Sequence, residues 1–131
     1  MNSKLENIPY KISQSFLQFE TILKFVKSLD GVKMYELKGN NQAHFLSLNV
    51  AKTTLYFYNN ELVAVYYLLN ERSEQLLKVI DQVESELNLK VQKIDEIKYF
   101  WNLKNEKFLI GIYENQIIYI YQISDKIKIQ E

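Results

Sequence analysis

The sequence predicts an α+β protein, a helix followed by a four-stranded antiparallel meander and used twice in tandem, with both helices packed on one face of an antiparallel sheet. Three observations predict it. Phe45–Leu69 (FLSLNVAKTTLYFYNNELVAVYYLL) lies on Phe100–Ser124 (FWNLKNEKFLIGIYENQIIYIYQIS) at a shift of 55 without a gap. Six of these positions are identical: Phe45/Phe100, Leu48/Leu103, Lys52/Lys107, Tyr58/Tyr113, Asn60/Asn115 and Tyr66/Tyr121. The stretches before them match at a shift of 54, with Glu20/Glu74, Leu23/Leu77 and Lys24/Lys78 identical. Finally, those stretches space their apolar residues as helices do, whereas the matched segments alternate as strands do.

The elements follow in order. Residues 1–12 form a lead-in, where Pro9 blocks an early helix. A first helix is predicted over Phe16–Leu29, with Ser15 as N-cap and Gln18 completing a capping box. Phe16, Phe19, Ile22, Leu23, Val26 and Leu29 share its apolar face, and Asp30-Gly31 ends it. Strands are predicted at Lys33–Leu37, Ala43–Leu48, Thr53–Tyr58 and Leu62–Leu69. Lys38–Asn41 and Asn59–Glu61 make turns, because Asn tolerates positive φ. A second helix over Arg72–Leu87 carries the stripe Leu76, Leu77, Ile80, Val83 and Leu87. Strands at Lys90–Lys93, Ile97–Leu103, Lys107–Tyr113 and Ile117–Ile123 complete the second unit, and a polar tail starts at Ser124. The 131 residues read as one domain, 1–131, built from units at about 16–70 and 71–125 related by an approximate two-fold. A unit of roughly 55 residues is marginal alone, so one core spans both.

Alternation sorts the strand residues into two faces. Leu46, Leu48, Leu55, Phe57, Val63, Val65, Trp101, Leu103, Ile110, Ile112, Ile118 and Ile120 form an apolar face, with His44 and Tyr99 at its edge. Trp101, Leu46, Leu55, Ile110 and Ile118 are expected under the helices. The other face collects Tyr56, Tyr58, Tyr66, Tyr113, Tyr119 and Tyr121, together with Phe45, Phe100, Ser47, Thr54, Ala64, Asn102 and Gly111. Tyrosine offers apolar area with a polar tip and is enriched in protein interfaces, so the six tyrosines are the expected partner-binding residues. Strand propensity and cross-strand aromatic pairing supply the competing explanation.

Composition narrows the chemistry. The chain has no cysteine, which excludes disulfides, thiol nucleophiles and thiolate metal sites and fits a reducing compartment. Sixteen basic residues balance sixteen acidic ones, and Arg72 is the single arginine, which argues against nucleic-acid binding. No apolar run reaches the length of a membrane span, and MNSKLENIPYKIS lacks the apolar stretch of a signal peptide. The expected location is therefore cytoplasmic, with no membrane partner. Abundant Lys, Asn, Ile and Tyr beside scarce Pro, Ala and Arg point to an AT-rich bacterial or phage genome.

His44 is the only histidine, and the three glycines are dispersed, so neither a metal cluster nor a phosphate loop is expected. Glu84 and Glu86 point apart on a helix, and Asp95-Glu96 reads as turn chemistry. No catalytic residue, cofactor or metal is expected, and the chain is read as a non-enzyme. The expected function is a small protein-binding module, an immunity or inhibitor protein that neutralises a toxin or host effector by direct binding. The same face also suits a homodimer seam. The alternative is a small-molecule-binding domain with a ligand cleft at the junction of the repeats.

Overall fold

The computed structural model describes residues 7–39 and 44–126. Short turns with positive φ set its frame. Asp30 and Gly31 (φ 52° and 84°) join β1 (Leu23–Leu29) to β2 (Val32–Leu37). After β3 (His44–Phe45) and β4 (Leu48–Tyr58), Asn59 and Asn60 (φ 51° and 64°) lead into β5 (Glu61–Arg72). Two central residues at positive φ make the type I′ turn, whose twist suits a hairpin. A 3-10 turn at Ser73–Gln75 opens α1 (Leu76–Leu87), which ends on Asn88 in the left-handed conformation (φ 55°). β6 (Gln92–Asp95), β7 (Lys98–Leu103), β8 (Glu106–Tyr113) and β9 (Ile117–Ser124) follow.

All pairings are antiparallel, in the order β1-β2-β4-β5-β9-β8-β7-β6, with β3 folded onto β4 beside that path. β5 and β9 meet at the middle, where Tyr66 pairs with Tyr121, Val65 with Gln122 and Tyr67 with Ile120.

This architecture corrects the predicted one. The molecule is a mostly antiparallel sheet with one α-helix among the described residues, not a twice-used helix plus meander with two helices on the sheet. The first predicted helix is absent. Ser15 does cap a turn, accepting a hydrogen bond from the Leu17 amide, but that turn is a 3-10 turn of three residues, Phe16–Gln18. Phe16 and Phe19 reach the core from it at i, i+3 spacing, while Leu23–Leu29 becomes the edge strand β1. A helical period was thus assembled from two different elements. Asp30-Gly31, read as a helix stop, is a hairpin turn, and β2 supplies the backbone partners that a helix would have supplied internally.

The match at a shift of 55 consequently fails as an architectural repeat. The segments share the hairpin pattern of β4–β5 and β8–β9, but their surroundings differ. β2 occupies the edge of β4 from Thr54 to Tyr58, and β3 is confined to Leu48 and Asn49. Its sequence counterpart β7 instead runs along β8 through five residue pairs. The predicted turn at Lys38–Asn41, the start of the strand at Ala43, and the tail beyond Lys126 lie partly or wholly outside the described residues.

The core lies on one face of the sheet. Leu55, Phe57, Val65, Tyr67, Trp101, Phe108, Ile110, Ile118 and Ile120 are at most 2% exposed. Val79, Ile80, Val83 and Leu87 of α1 join them, as do Ile8, Tyr10 and Phe19 of the N-terminal segment. Val79 replaces the expected Leu77, which is 67% exposed. Phe45, expected among the tyrosines, is fully buried instead, with its ring 4.9 Å from that of Tyr67 and 6.0 Å from that of Phe108. A register shift beside Tyr56/Phe57 pairs Tyr56 with Ala64 and Phe57 with Leu62, so Val63 between those two β5 residues drops out of the alternation.

Candidate functional site: the tyrosine face of the sheet

Strand geometry builds the second face from the residues that alternate with the core. On β5, Tyr66 stands between the core residues Val65 and Tyr67; on β9, Tyr119 and Tyr121 alternate with Ile118 and Ile120. On β4, Tyr56 and Tyr58 alternate with Leu55 and Phe57, and on β8, Tyr113 follows Leu109 and Gly111. All six expected tyrosines therefore share one face, centred on the β5–β9 seam.

Their rings form a connected array. Tyr66 and Tyr119 stack with centroids 5.2 Å apart and planes 17° apart. Tyr66 meets Tyr121 edge-on at 5.7 Å, and Tyr121 lies 6.1 Å from Tyr56. Tyr58 and Tyr113 are 41% and 44% exposed, whereas the other four are partly buried against one another. Burial holds the Tyr66 phenol well above the usual tyrosine range, reinforced by the hydroxyls of Tyr119, Tyr113, Tyr56 and Tyr121. Burial raises Tyr56 likewise. These hydroxyls stay protonated at neutral pH and serve as uncharged hydrogen-bonding groups.

Polar residues border the array. Lys52 and Glu36 form an ion pair at 2.8 Å, and the Lys107 ammonium sits 4.9 Å above the Phe100 ring. Between the pair and the tyrosines lies an open depression of about 240 Å³ lined in part by Met34, Leu68 and Tyr113. An aromatic centre within a polar border is the layout of protein-contact surfaces.

Sequence reasoning placed Thr54, Ala64 and Gly111 on this face but not Leu109 or Ile123, and it assigned none of them a part in supporting the array. Thr54, Ala64, Leu109 and Ile123 are buried on this face beneath or beside the rings. Gly111 pairs with Tyr119 across β8 and β9, and the Tyr119 ring occupies the space where any side chain at Gly111 would stand. Tyrosine beside a glycine on a neighbouring strand is a sheet device that a linear reading does not reveal.

Other polar groups lie elsewhere. His44 is exposed on β3. Glu84 accepts from the Val91 amide, while Glu86 accepts from Ser47 and Gln82, so the two carboxylates diverge. Asp95 accepts from the Ile97 amide within the β6–β7 turn. On the core side, the fully buried Gln122 accepts from the Tyr67 hydroxyl at 2.7 Å and donates to the Tyr10 carbonyl at 3.0 Å and to Glu106 at 2.7 Å. Among the described residues no three His, Cys, Asp or Glu side chains group as metal ligands, and no helix is long and apolar enough to cross a membrane. At the junction named for a ligand cleft, β5 and β9 run as a paired ladder with tyrosines on its outer face. No family model, curated protein or solved structure matches the chain.

Proposed function

We propose that this chain is a non-catalytic protein-binding module and that the tyrosine face is its contact surface. The observation that carries the reading is the joined array of Tyr56, Tyr66, Tyr119 and Tyr121, flanked by the exposed Tyr58 and Tyr113 and bordered by charged side chains. Rigid aromatic side chains give contact area at small entropic cost, because few torsions remain to be fixed on binding. The face carries balanced charge at Lys52–Glu36, so affinity would rest on apolar area and phenol hydrogen bonds rather than on long-range attraction. A binder that neutralises a toxin or host effector by covering it is the specific form we propose, acting in the cytoplasm of a bacterial cell.

Affinity capture from the source organism with wild type and with the Tyr58→Ala/Tyr113→Ala variant tests this reading. The expected result is a stoichiometric partner retained by wild type and lost by the variant, with the variant's melting temperature close to wild type. Equal retention by both would overturn the assignment of this face.

A further inference from the structure

The tyrosine surface owes its shape to a residue without a side chain. We infer that Gly111 is the positioning residue of the array: it is the notch that seats the Tyr119 ring, and through Tyr119 it sets the stacking of Tyr66. The inference rests on the reading of this face as the contact surface.

Space, not backbone freedom, demands glycine here. Gly111 lies in the middle of β8 and does not adopt the positive φ seen at Gly31 and Gly39. Glycine inside a strand weakens it, so its presence calls for a close approach by another group. That group is Tyr119. A methyl group on Gly111 would stand 2.5 Å from Tyr119 Oη, 2.6 Å from Cζ and 2.7 Å from Cε2. All three contacts are with the ring end, so the ring leans from β9 across β8. Tyr66 then stacks nearly parallel on Tyr119 from β5, at 5.2 Å and 17°. The rings lie like overlapping tiles, and the last tile rests on Gly111. Lifting it removes the support on which Tyr66 stacks, and Tyr66 in turn contacts Tyr121.

This arrangement preorganises the surface. A partner that meets rings already fixed in place loses less freedom on binding than one that must order them. Gly111 would thus tune binding without touching the partner.

The test uses Gly111→Ala, Tyr119→Ala and the combined variant, each in the free protein. Ring-proton NMR shifts of Tyr66 report the stack, and melting temperature reports the fold. In Gly111→Ala we expect the Tyr66 ring signals to move toward their positions in Tyr119→Ala, with a fall in melting temperature of about 5–10 °C. The combined variant should melt no lower than Tyr119→Ala alone, because the added methyl then enters space the ring has vacated. Unchanged Tyr66 signals in Gly111→Ala, or effects that simply add in the combined variant, would overturn the inference. If Gly111→Ala fails to fold, the combined variant decides: folding supports the seat, and failure contradicts it. These readouts need no partner, so they separate this inference from the binding function. Should Gly111→Ala shift the stack yet bind the captured partner with wild-type affinity, the seat would stand and the contact surface would fall.

Discussion

Trp101 lies flat against Phe108, with centroids 4.7 Å apart and planes 4° apart, and is 1% exposed. Truncation removes that stack and leaves a cavity beneath β7 and β8. Trp101→Ala should therefore cost about 3–5 kcal/mol, read from urea melts. A loss under about 1 kcal/mol would place the indole near solvent. The tyrosines of the core set a second expectation. Burial pushes the Tyr10 phenol up to about 12 from its ordinary 10.0 and the Tyr67 phenol well above that ordinary value. The folded state thus holds these protons more tightly than the unfolded chain. Stability is fully present below pH 10 and is lost as pH rises from there through about 12. Thermal melts across that window, beside phenolate absorbance, should show unfolding and tyrosine ionisation together. Glu106 follows the same sign at lower pH. Burial raises its carboxyl, against the lowering by Gln122, so its ionisation opposes folding at neutral pH. Glu106→Gln should keep the hydrogen bond with Gln122 and be at least as stable as wild type at pH 7. The difference should shrink as acid protonates the wild-type carboxyl.

At the scale of elements, the two edges of the sheet are short or guarded. β1 carries Lys24 and Lys27 around a register shift beside Phe25, and β6 is four residues long with its own shift beside Lys93. Lysines and bulges on an edge discourage pairing with another chain. Replacing Lys24 and Lys27 with threonine should promote association, visible as a rise in sedimentation coefficient with concentration, and unchanged sedimentation would remove that role. The elements also differ in how far the sequence made them legible. Asn59-Asn60 declared its turn through side chains that tolerate positive φ, and alternation placed β8 and β9 within one residue of their observed bounds, whereas β4 starts at Leu48 rather than Thr53 and β5 runs on to Arg72 rather than ending at Leu69. Asp30-Gly31 carries the stronger hairpin signal but reads as a helix stop, because Phe16, Phe19, Leu23 and Val26 imitate a helical stripe. Only the tertiary pairing of β1 with β2 decides between the two. Phe45 was misplaced for a similar reason. β3 is a two-residue strand turned back on β4, and Leu46 beside it adopts positive φ of 56°, which breaks the alternation on which the face assignment relied.

For the whole molecule, the two faces of one sheet divide the work. One face, with α1 and the N-terminal segment, holds the apolar core, and the other displays tyrosine. Its six tyrosines were readable from period-two alternation alone, since register on four long central strands leaves little choice of face. The notch at Gly111 and the stacking it permits were not, because they depend on which strand lies beside β9. If the tyrosine face binds a partner, Tyr58→Ala and Tyr113→Ala should each weaken the complex by about 1–2 kcal/mol and cost the fold less than about 1 kcal/mol. The most direct measurement is side-chain oxidation footprinting of the free protein and of its complex with the captured partner. We expect Tyr58 and Tyr113, now 41% and 44% exposed, to be protected in the complex, while Leu77 on α1, 67% exposed, is labelled as in the free protein. Equal labelling of Tyr58 and Tyr113 in both states would contradict the claim that this face is where the protein acts.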